Sequence, residues 1–196
     1  MIQPDPAQEN TNDTTCRLFI ALACPPLGKI PELLSTLNDA ARGPGSGIRV
    51  VPEQNLHITL KFLGSLASSS IGDIAATLDQ IILTTRPFDI TLVGTGVFKD
   101  AFWLGIRPCD VLTELSSIIN QRLAPRGFVS ETRPFIPHLT VARLAHNSDI
   151  SRLTPLQQWQ HETWGSLAVE AVHLYQSTTM PNGVQYSILH TARFNC

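Results

Sequence analysis

The chain has 196 residues, 43% of them hydrophobic, and a formal net charge of −2 at pH 7. That supplies a proper core for one large domain or two small lobes, but too little positive charge for a broad non-specific nucleic-acid footprint, which takes a basic face neutralising several phosphates. No run is long and apolar enough to form a membrane-spanning helix.

In chain order, "MIQPDPAQENTNDTT" lacks the apolar core and basic flank of a leader, and its polar, proline-bearing composition predicts a disordered tail over 1–15. A single folded domain is expected over 16–196, in a soluble cytoplasmic protein. "CRLFIALAC" (16–24) reads as a buried strand ended by Pro25 and Pro26. "GKIPELLSTLNDAAR" carries Leu33, Leu34 and Leu37 at helical spacing, with Pro31 in the first turn and Gly43 past the end. "GPGSG" (43–47) is a loop, and short strands follow over 48–51 and 56–63. "SSSIGDIAATLDQIILTT" places Ile71, Ile74, Leu78, Ile81 and Ile82 on one helical face behind capping serines.

"PFDITLVGTGVF" and "AFWLGIRP" predict two strands joined by a tight turn at Lys99 and Asp100, and "CDVLTELSSIINQRLAPRG" an amphipathic helix with Asp110 as N-cap. After the strand "HLTVARL" come a polar stretch with a short helix, then "SLAVEAVHLYQS" as one strand in which Glu170 sits beside apolar neighbours. The turn "PNG" leads into the closing strand "VQYSILHTARF". Cys16, Cys24, Cys109 and Cys196 are scattered, with no CxxC pair and no histidine at ligand spacing, so reduced, space-filling thiols are expected and no metal.

The order contains an echo. Each half offers a strand, a helix, an H-x-T strand, a connecting segment and a long strand, which points to an internal duplication. The predicted fold class is α+β: a bilobal molecule of two antiparallel sheets with outer helices and pseudo-twofold symmetry about a central cleft. Side chains at i and i+2 of a strand share a face, so His57 pairs with Thr59 and His138 with Thr140, while Ile58, Leu60, Leu139 and Val141 face the helices. A third H-x-T, at His161 to Thr163, has Glu162 at its centre and no strand alternation around it; it reads as a coincidence in a loop. Two imidazoles facing one cleft suit metal-free phosphodiester hydrolysis, one neutral ring taking a proton from water and one protonated ring giving a proton to the departing alkoxide. The threonine hydroxyls can donate to the non-bridging oxygens as charge grows on them.

On the stretches "RLFIAL", "VPEQNLHITLKFLG", "RPFIPHLTVAR" and the closing strand pair, the chain resembles the 2H phosphoesterase superfamily, and within it the RNA 2′,3′-cyclic phosphodiesterases, also called 2′-5′ RNA ligases. The resemblance implies a metal- and cofactor-free monomer that opens the 2′,3′-cyclic phosphate end of RNA or an oligonucleotide to a 2′-phosphate. It places His57 as general acid and His138 as general base, the pseudo-symmetry leaving the reverse open. It also brings Arg143 to the phosphate. Five residues beyond His138, Arg143 would face away in a regular strand, so it needs a bulge or the strand's end. Lys61 has the parity of the cleft but can equally be a solvated cation. Arg133 can meet terminal phosphates or lie on the surface; Phe135 can stack on a base or be buried beside Pro134 and Pro137. Relatives often carry a longer, arginine-bearing loop where this chain has only "FKDA" before "FWLGI". Two other readings stay open: an enzyme of the same type for another small cyclic phosphate, and a non-catalytic module that binds RNA ends.

Overall fold

The computed structural model describes residues 14–128, 133–181 and 183–195; most of the expected tail, Asn182 of the hairpin turn and Cys196 lie outside the described residues. The elements are β1 (Thr15–Ala23), α1 (Ile30–Ala41), β2 (Ile48–Val50), β3 (His57–Ala67), α2 (Ser70–Ile82), β4 (Phe88–Phe98), β5 (Ala101–Ile106), α3 (Asp110–Leu123), β6 (His138–Leu144), β7 (Thr163–Val169), β8 (Ala171–Met180) and β9 (Gly183–Arg193). Thr15, at the end of the segment read as a tail, already pairs with Ala67.

The fold is α+β, and every strand pairing is antiparallel. Where two sheets were expected, the described strands form one, in the order β7-β4-β5-β6-β3-β1-β8-β9, with β2 also paired to β6. The middle of that sheet is thin: β3 and β6 are joined through the single pairing of Ile58 with Leu139.

One face of the sheet carries the core. Leu18, Ile20 and Leu22 of β1, Ile58 and Leu60 of β3, and Leu139 and Val141 of β6 join leucines and isoleucines of all three helices in one continuous cluster. The alternation of each strand sends its aliphatic set under the helices and leaves its other set on the uncovered face. Burying those aliphatic side chains is the main stabilising term, at about 25 cal/mol per Å² of apolar surface removed from water.

Three readings change. Asp110 is the first helical residue of α3 and Cys109 holds the N-cap position, so the carboxylate acts through the first-turn dipole. The short helix over Ile150–Trp159 is of the 3-10 type. The segment "SLAVEAVHLYQS" belongs to two strands: β7 pairs with β4 and β8 with β1, at opposite ends of the sheet, and the chain crosses between them at an exposed Glu170 whose carbonyl accepts from the Phe194 N–H at 3.0 Å. Cys16 and Cys24 are buried free thiols, and burial pushes the Cys24 thiol up to about 12, which makes it unreactive filler. No helix among the described residues is long and apolar enough to cross a membrane.

Candidate active site

Because Ile58 and Leu139 point under the helices, the residues on either side of each point to the open face. An antiparallel register centred on that pair sets His57 toward Thr140 and Thr59 toward His138. The two H-x-T motifs therefore meet at the middle of the sheet, each histidine beside the other motif's threonine.

Both imidazoles are held in the same way. Nδ1 of His57 lies 2.7 Å from the Asn55 carbonyl oxygen, and Nδ1 of His138 lies 2.8 Å from that of Ile136. A carbonyl only accepts, so Nδ1 is the donor in each ring and Nε2 is left to exchange protons. The side chain of Asn55 donates to the Val184 carbonyl at 2.9 Å, tying the turn before His57 to β9. Burial lowers the His57 pKa below its ordinary value against the opposing effect of the Asn55 bond, and the charges of Arg143 and His138 lower it further. The site thus brings His57, His138 and Arg143 within electrostatic reach of one another.

A bulge brings Arg143 there. Trp103 pairs with Thr140 and Phe102 with Ala142, which leaves Val141 as an extra residue in β6; Arg143, opposite Ala101, returns to the face of His138 and Thr140. The first motif has the same irregularity. Ala21 pairs with Thr59 and Ile20 with Lys61, so Leu60 is the extra residue of β3, and burial follows an identical course through His57–Phe62 and His138–Arg143. At the matching step β6 carries Arg143 and β3 carries Phe62.

The same bulge reverses Lys61. A regular strand would put it beside Thr59 in the cleft; instead it is only 4% exposed on the helix side, where its Nζ donates to Asn120 Oδ1 of α3 at 2.7 Å. The carbonyl of the bulged Leu60 accepts from the buried Ser116 hydroxyl at 3.2 Å. Arg133 is exposed, and Phe135 is half-buried against the main core. In the third H-x-T, His161 lies exposed in a turn and Glu162 is bound to Lys29 at 2.7 Å.

The sequence reading missed an aromatic surround. Phe19 stacks on Tyr175 at 5.0 Å and lies 4.9 Å from the His57 ring, while Tyr186 meets Phe19 and His57 edge-on at 5.0 and 5.1 Å. With Ala21 these rings form a small hydrophobic cluster on the open face, separate from the core. Phe62 continues it, 65% exposed. Around His138 stand Phe98, edge-on at 5.1 Å, and Trp103, at 6.1 Å. The indole lies flat over Gly96, where a Cβ would come within 2.1 Å of the ring, so only glycine leaves it room there. In the short turn, Asp100 faces Arg143 at 3.7 Å. Among the described residues no three His, Cys, Asp or Glu side chains group as metal ligands.

A model of the 2′-5′ RNA ligase superfamily matches residues 31–179. The chain belongs to this superfamily. Relatives named RNA 2′,3′-cyclic phosphodiesterase include one from Thermotoga maritima, 30% identical over 76% of this chain and 81% of its own length, and one from Escherichia coli, 29% identical over 88% and 93%. Among solved structures, Escherichia coli LigT complexed with 3′-AMP superposes with a TM-score of 0.71, at 25% identity over 93% of this chain and all of the other. The matched residues include both H-x-T strands.

Proposed function

We propose that the protein is an RNA 2′,3′-cyclic phosphodiesterase that opens the cyclic phosphate at an RNA or nucleotide end to a 2′-phosphate by two-histidine acid-base catalysis without a metal. The observation that carries this reading is the pair of imidazoles at one seam, each with Nδ1 fixed on a backbone carbonyl and Nε2 left for proton transfer. The names of the relatives supply the substrate class. The two H-x-T strands meet at the seam with three further strands on each side, and both carry a bulge at the same step after the motif, which supports a duplicated, bilobal origin of the site.

In this mechanism the cyclic phosphate sits between the motifs. Thr59 and Thr140 donate to its non-bridging oxygens, and Arg143 neutralises the charge that builds as water adds. His138 takes the proton from the attacking water. His57 gives one to the departing O3′, so the 2′ ester survives. Protonated His57 is disfavoured in the free protein; the phosphate charge offsets Arg143 and restores it in the complex.

The test is turnover of a cyclic-phosphate-ended oligonucleotide and the matching 2′,3′-cyclic mononucleotide in excess EDTA, with the product identified by phosphorus NMR. A 2′-phosphate product is expected, with loss of about 10²- to 10⁴-fold in His57→Ala and in His138→Ala. Replacing O3′ by sulfur, a leaving group that hardly needs a proton, should rescue the His57 variant alone. Binding without turnover would make the chain an end-binding module, turnover of only the mononucleotide would favour another small cyclic phosphate, and loss in EDTA reversed by added metal would overturn the mechanism.

A further inference from the structure

A third histidine lies on the open face. Ala21 of β1 pairs with Thr59 on one side and with His173 of β8 on the other, so Thr59 and His173 stand two strand spacings apart, about 10 Å, on either side of the buried Ala21. His173 pairs across β9 with Thr191, and its Nδ1 lies 3.0 Å from the Thr191 hydroxyl oxygen. Its Nε2 has no hydrogen bond to any described residue. Arg193 is two residues beyond Thr191, on the same face of β9, exposed and close enough for its charge to act on the His173 ring.

The fold does not require this group. On the other side of the seam the corresponding place, two strands from Thr140 across Trp103, is taken by Gly96. An imidazole, a hydroxyl and a guanidinium at the edge of a cleft are all able to donate to phosphate oxygens. The buried rings of Phe19 and Tyr175 lie beside the line from Thr59 to His173, and the exposed Phe62 continues them on the β3 side. A nucleotide whose terminal phosphate is at the two motifs, and whose base lies on Phe62, would have its 5′ side free to run along that line.

We propose that His173, Thr191 and Arg193 form a second anion subsite, which takes the phosphate on the 5′ side of the terminal nucleotide and so favours an RNA end over a free cyclic nucleoside phosphate. The proposal rests on the reading of the cleft as a site for cyclic-phosphate ends, and it specifies which substrates that cleft prefers.

Equilibrium binding tests it without any need for turnover. Adenosine 2′-monophosphate, adenosine 5′-monophosphate and adenosine 2′,5′-bisphosphate are titrated into the wild type and into Thr191→Val, Arg193→Gln and His173→Gln. The wild type should bind the bisphosphate about tenfold more tightly than the 2′-monophosphate, the worth of one good charge-assisted contact. Each variant should bring that ratio close to one, and added salt should shrink it in the wild type. Unchanged melting temperatures would show that the variants fold. A wild-type ratio near one, or a ratio that survives in the variants, overturns the subsite. If the wild type fails to bind the 2′-monophosphate, the reading of the central cleft fails instead; the subsite then stands if the variants weaken 5′-monophosphate binding and falls if they do not.

Discussion

His57 sits where its own charged form is disfavoured: burial strips the ring of water, and Arg143 and His138 both act electrostatically against a charge on it. Its free pKa is therefore below the ordinary 6.5, and the neutral ring predominates through the neutral range. An anion at the seam reverses the local field, so proton and phosphate binding must be linked. The expected result is that the His57 midpoint, followed by NMR, lies below 6.5 in the free protein and moves upward with saturating inorganic sulfate, a tetrahedral dianion that does not titrate in this range. Between the two midpoints the complex holds a proton that the free enzyme lacks. A midpoint unmoved or lowered by sulfate would mean that the anion binds elsewhere and would remove the reason for placing the acid at His57.

Two bulges, one after each H-x-T, decide which side chains enter the cleft. They bring in Arg143 and Phe62 and send Lys61 under α3, where Asn120 and Ser116 satisfy the polar groups that the irregularity leaves in the core. Ser116→Ala should therefore destabilise the fold by about 1–3 kcal/mol, the cost of an unmet buried carbonyl, measured by denaturant unfolding. Lys61→Met, which fills the same space without the charge, should leave kcat/KM for a cyclic mononucleotide near wild type. A loss comparable to that of Arg143→Gln would put the Lys61 ammonium back in the cleft. The alternation of "HITL" and "HLTV" was legible in the sequence because period-2 patterning is a property of side chains. The bulge in β6 entered only as one of two ways to bring Arg143 to the phosphate, and the one in β3 was not seen, because an extra residue changes backbone pairing while leaving a run of apolar letters intact. The same limit explains β7 and β8: alternation passes straight through Glu170, and nothing in that pattern marks the crossing. The ring cluster was hidden for a related reason, since "RLFIAL" is apolar on both faces and does not reveal that Phe19 faces outward.

At the scale of the whole molecule, a sheet with an H-x-T strand and a matching bulge on either side of its seam carries a site that is not the same on either side. The β3 half offers Phe62, Phe19, Tyr175 and Tyr186; the β6 half offers Arg143, with Arg49 of β2 paired directly opposite it on the same face. Like charges across a strand pair destabilise each other, so two arginines side by side favour an anion between them. Among the described residues, Asp100 is the carboxylate that pairs with Arg143. Under the proposed reading the two motifs supply the acid-base pair, and the differing residues at the step after each bulge would give one side to the base and the other to the phosphate. The two halves should then fail differently. Base stacking on an aromatic is worth about 1–3 kcal/mol, so Phe62→Ala should lower kcat/KM for a 2′,3′-cyclic nucleotide by about 5- to 150-fold. It should leave a 1-O-methylribose 2′,3′-cyclic phosphate, which has no base, unaffected. Arg143→Gln should lower both, because each substrate presents the same phosphate. Phe62 is too exposed for its loss to damage the fold, so equal losses on the two substrates would mean that the ring shapes the catalytic centre and that the base lies elsewhere.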